Sequence, residues 1–184
     1  MAKNYEALHY IRDQLSGYTE DASIAIQRLF DIEDRNRESQ GCVIDSVITK
    51  LILKKFGIES KIHLGEFTTD NYHWFHHCWL TVSGKVVDMG IYGNSTYNER
   101  YRGKLVKSPI VLENPEFAQY KDGTNDRFGW ILGLSGISFS EYTKNCPGDR
   151  VYKIFCKSLD ILENKESKKL FSELTEGEFF PGIN

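Results

Sequence analysis

The chain has 184 residues, 40% hydrophobic and 13% aromatic, which suits one sizeable core and the usual length of a single domain. A formal net charge of -3 without any Lys/Arg-rich stripe excludes a basic footprint for nucleic acid. No stretch nears the roughly 20 apolar residues that span a bilayer, and the start MAKNYEALHYIRDQL has no continuous apolar run, so no membrane partner is expected and the cytoplasm is the expected location.

Leu8, Ile11 and Leu15 predict a first helix, and Ile24, Ile26, Leu29, Phe30 and Ile32 a second after the break at Ser16-Gly17. The polar run Glu33 to Gly41 either extends the second helix or forms a loop. From Cys42, Val43, Ile44, Val47, Ile48, Leu51 and Ile52 recur at three-to-four-residue spacing, with Gly57 as a stop, and predict a helix buried on most sides. Ile58 to Phe67 alternates like a half-buried strand, and Thr68 to Asn71 reads as a turn. Trp74 to Val82 and Lys85 to Met89 read as strands joined through Ser83-Gly84. Farther on, Leu105 to Leu112 suggests a short strand, Phe128 to Gly136 a Gly-interrupted apolar stretch, and Val151 to Leu162 and Lys165 to Leu174 two more segments. No internal repeat or low-complexity segment is present.

The cysteines Cys42, Cys78, Cys146 and Cys156 are scattered, as expected of free thiols in a reducing compartment. Cys42 stands where a helix begins, and the unpaired N–H groups there favour a thiolate; the competing reading is a small buried hydrophobe. A two-residue hairpin loop sets Val82 opposite Lys85, Trp79 opposite Asp88 and His77 opposite Gly90. His77 and Asp88 then share a face, diagonal neighbours at roughly 7–8 Å, a gap that polar side chains close. A three-residue loop would part them. His76 and Cys78 turn to the other face. His63 and His73 have no evident partner and read as surface or loop histidines.

Cys42, His77 and Asp88 in that order supply a nucleophile, a general base and an orienting carboxylate. The Cys42 amide is the first candidate for the oxyanion site. Gln40 could add a side-chain amide, or be an exposed loop residue. Two other classes stay open. His73, His76, His77 and Cys78 would make a metal-binding protein if their segment were a loop, and the chain could be a catalytically inactive binding module. Tyr92, Tyr97, Tyr101, Phe128 and Trp130 follow in segments that could wall a cleft or simply pack.

The run GCVIDSVITKLILKKFGIES followed by HCWLTVSGKVVD resembles the core of the transglutaminase-like superfamily of papain-like thiol enzymes over Gln40 to Tyr92, with Trp79 two residues after His77. The resemblance implies an α+β fold in which a Cys-bearing central helix packs on an antiparallel sheet; the N-terminal helices read from the apolar spacing would precede that core. It implies Cys42 as nucleophile, His77 as base and Asp88 as orienter, without a cofactor or metal. Gly41 and Val43 flank Cys42 where the eukaryotic transglutaminase pattern has Gln-Cys-Trp, which disfavours protein cross-linking. The expectation is a hydrolase (peptidase, amidase or deamidase) working through a Cys42 thioester on a peptide, protein or small amide, with acyl transfer as the alternative.

Overall fold

The computed structural model describes residues 18–36, 41–69, 74–91, 118–127 and 129–183. The fold is α+β. Helices α1 (Glu20–Asn36) and α2 (Cys42–Lys55) precede strands β1 (Lys61–Thr69), β2 (Trp74–Val82), β3 (Lys85–Val87) and β4 (Ala118–Asp122). Helices α3 (Phe139–Asn145), α4 (Arg150–Leu159) and α5 (Lys165–Thr175) follow. The strands form one antiparallel sheet in the order β3-β2-β1-β4. Among the described residues, no helix is long and apolar enough to cross a membrane.

The central helix forms where the apolar spacing predicts it. Val47, Ile48, Leu51, Ile52 and Leu53 are fully buried, and they face both the sheet and the helices around it. Burying side chains of this size stabilises by about 1.5–3 kcal/mol each before chain entropy is counted. Gly57 ends the helix at φ +72, and Ile58 N donates to Leu53 O across it. Helix α1 continues through Asn36, so the polar run begins as helix; Arg37 to Gln40, the first predicted helix and the Leu105–Leu112 segment lie outside the described residues.

The hairpin has the expected two-residue loop. Ser83 (φ 51) and Gly84 (φ 78) both have positive φ, the turn whose twist matches the flanking strands, and Val82 pairs with Lys85. One face of the sheet packs Ile62, Leu64, Cys78, Leu80, Val82 and Val87 into the main core with α2. The other gathers Phe67, Trp79 and Val86 into a smaller cluster with Ile91.

Three strand boundaries differ from expectation. Ile58 to Ser60 stay outside the ladder, β1 runs on through Thr69 where a turn was expected, and β3 stops at Val87. The Gly-interrupted stretch contains a 3-10 helix, Trp130–Leu134. Strand β4 is an addition that the sequence did not announce.

Gly65 lets β4 in. It pairs with His77 on one side and Asp122 on the other, and a Cβ there would collide with the backbone carbonyl of Lys121. Gly65→Ala is therefore expected to cost about 2–3 kcal/mol in urea unfolding, the range for overpacking against rigid backbone. Faster hydrogen exchange at residues 118–122 in that variant would locate the damage.

Candidate active site

Strand parity decides which side chains of WFHHCWLTV can meet. His76 and Cys78 turn to the α2 face, Cys78 at 0% exposure with its carbonyl accepting a hydrogen bond from Ser46 Oγ (3.0 Å). His77 turns to the opposite face and is itself fully buried. Asp88 follows directly after β3, and its Oδ2 lies 2.7 Å from His77 Nε2. The diagonal pair is thus closed by a hydrogen bond.

Asp88 is also 1% exposed, so its carboxylate depends on donors. Besides His77 it accepts from Tyr120 Oη at Oδ2 (2.7 Å) and from the Ile91 amide at Oδ1 (3.1 Å). Tyr120 comes from β4 and was missed by the sequence reading. Its phenol is pushed well up, first by burial and then by Asp88, which keeps it a neutral donor.

Cys42 opens α2. Gly41, its N-cap residue, is itself in the αR region at φ -80 and has no side chain with which to cap the first-turn amides, the end of the helix that favours negative charge. The link to His77 runs past Gly90. A Cβ on Gly90 would sit 2.6 Å from Cys42 Cβ and 3.3 Å from His77 Cε1, so the thiol and the imidazole border the same bare backbone. Met89 anchors that stretch to α2 through Thr49, whose hydroxyl lies 3.7 Å from Met89 Sδ.

Asp88 engages Nε2, which leaves Nδ1 of His77 without a hydrogen bond among the described residues. Burial alone pulls the imidazolium down, but the charge and hydrogen bond of Asp88, followed by Cys42, reverse this and push His77 from 6.5 up to about 10. Burial raises the thiols of Cys78, Cys146 and Cys156. The thiol that raises His77 is Cys42.

Trp79 lies between two histidines. Its ring stacks on His63 at 5.2 Å and on His77 at 6.2 Å, with interplanar angles of 7° and 11°. His63 is no surface histidine. It is 8% exposed, its Nδ1 is 2.7 Å from Asp122 Oδ1 and its Nε2 is 2.9 Å from Thr81 Oγ1. The expectation failed because Asp122 arrives from β4.

The other singled-out residues fall as follows. His76 Nε2 lies 3.2 Å from Thr124 Oγ1, and Gly129 and half-exposed Trp130 pack against its ring. Gln40, His73, Tyr92, Tyr97, Tyr101 and Phe128 lie outside the described residues. For a metal, His76 and Cys78 diverge from His77, and among the described residues no group of three His, Cys, Asp or Glu side chains is placed to hold a metal ion. A cleft of about 580 Å³ lies at the far end of α2, where Lys50 and Lys54 pair with Glu178, away from Cys42.

Compared with known proteins, the chain matches no family model, no curated protein and no solved structure.

Two outcomes follow from this geometry. The folded-state pKa of His77 exceeds its unfolded value, so its contribution to stability is complete below pH about 6.5 and is lost as the pH rises through about 10. Asp88→Asn removes the main raising cause, and the His77 midpoint followed by NMR should fall below 6.5 with that slope in stability abolished. Gly90→Ala should lower the alkylation rate of Cys42 by about tenfold, since a Cβ must push Cys42 from His77; an order of magnitude is ordinary for small displacements of reacting groups.

Proposed function

We propose that this protein is a thiol enzyme that cleaves an amide or acyl bond through a thioester on Cys42, with hydrolysis as its reaction and a transglutaminase-like, papain-like core as its architecture. The observation that carries the reading is the buried His77–Asp88 pair, whose second imidazole nitrogen is left for Cys42 at the uncapped start of α2.

The chemistry follows from the atoms. The Cys42 thiolate attacks the substrate carbonyl carbon, and the negative charge that develops on oxygen is met by the amide of Cys42 itself. His77, as imidazolium, passes the proton on Nδ1 to the leaving nitrogen or oxygen as the carbonyl bond to it breaks, which leaves a thioester and a neutral imidazole. Water then gives a proton to Nδ1 and adds to the thioester carbonyl. Collapse of that adduct releases a carboxylic acid and restores the thiolate and the imidazolium. Asp88 holds Nε2 throughout, fixing the ring and balancing its charge.

An acyl acceptor other than water would turn the same intermediate to transfer. Hydrolysis is preferred because it needs no second bound substrate. The partner in this reading is a peptide, a protein or a small amide.

Limiting iodoacetamide followed by peptide mapping tests the nucleophile. Cys42, itself only 7% exposed, should be labelled first because it borders the His77 imidazole across Gly90, whereas burial raises the thiols of Cys78, Cys146 and Cys156. His77→Ala should slow that labelling at neutral pH by about tenfold or more, the scale of a lost imidazolium partner. Preferential labelling of another cysteine, or unchanged kinetics in His77→Ala, would remove the basis for the reading.

A further inference from the structure

We propose that Tyr120 is a positioning residue that sets how tightly His77 holds its proton, acting through Asp88. The two donors meet on one atom. Asp88 Oδ2 is 2.7 Å from His77 Nε2 and 2.7 Å from Tyr120 Oη, while Oδ1 is given to the Ile91 amide. A carboxylate oxygen that serves two donors gives each less charge than it would give one alone. The phenol therefore tempers the pull of Asp88 on the imidazolium.

That tempering has a chemical use. A general acid works best when its proton affinity is not far above the operating pH, and a buried imidazolium facing an undivided carboxylate would release its proton to a leaving group reluctantly. Tyr120 shares the carboxylate without adding a charge. Its ring is held separately, edge-on to Phe67 at 5.0 Å and tilted on Trp79 at 5.1 Å, so the packing and the hydroxyl can be tested apart.

This inference rests on the proposed function only for its relevance to turnover, because the measurement reads His77 itself. In the full-length chain with labelled histidine, the His77 midpoint is followed by NMR in wild type, in Tyr120→Phe, and with a ring-fluorinated tyrosine at position 120. Tyr120→Phe should raise the midpoint by about half to one pH unit, a three- to tenfold tighter proton. The fluorinated ring, a stronger donor of the same shape, should lower it. A purely structural tyrosine would leave the midpoint in place, or move it the same way in both variants, and either result overturns the proposal. Should Tyr120→Phe fail to fold, the fluorinated protein decides alone, a lowered midpoint supporting the inference and an unmoved or raised one ending it. Failure of Cys42 to label selectively would fell the nucleophile reading while leaving this titration intact.

Discussion

A carboxylate taken out of water must have its charge met by donors, and Asp88, at 1% exposure, is the point on which the rest of the site depends. Its partners come from three places: His77 in the interior strand β2, the Ile91 amide just downstream, and Tyr120 in the edge strand β4. Had the hairpin loop held one residue more, Asp88 and His77 would lie on opposite faces and the charge would be stranded. The positive φ at Ser83 and Gly84 is thus a local backbone choice with consequences for the whole face.

The sheet divides its labour by face. One side packs Ile62, Leu64, Leu80 and Val82 against α2, with His76 and Glu66 toward its end, so that Cys42 is fixed by the same packing that holds the domain together. The other side carries rings and polar groups, with Trp79 stacked between a histidine tied to Asp122 and a histidine tied to Asp88. Strand β1 contributes an empty position at Gly65, and that emptiness admits the β4 backbone. Gly90 does the equivalent beside Cys42. Rings and carboxylates fill this site, but glycines make the room for it.

What the sequence disclosed was local. The period of α2, the Ser83-Gly84 loop and the alternation of β2 each depend on neighbours within a few residues, so they could be read directly and they placed His77 beside Asp88. What it withheld was distant. Tyr120 and Asp88 are 32 positions apart and His63 and Asp122 are 59 apart, and a five-residue strand with one aromatic carries too little pattern to announce where it docks. His63 was misjudged for that reason. The nearest available signals were Gly65, opposite His77 in the β1–β2 register, and Gly90, whose backbone borders the His77 ring beyond the end of β3, and both could have been read as places of close approach.

The hydroxyl of Tyr120 also bears on the order in which the molecule assembles. Joining His77 to Asp88 closes a span of 11 residues, whereas joining Tyr120 to Asp88 closes one of 32. The entropy of closure grows with the logarithm of that span, so the second contact costs about 1 kcal/mol more to bring together. Shorter spans close sooner. On loop closure alone the His77–Asp88 contact is the cheaper of the two, so the packing of β4 against β1 must offset the extra cost of bringing Tyr120 to the same carboxylate.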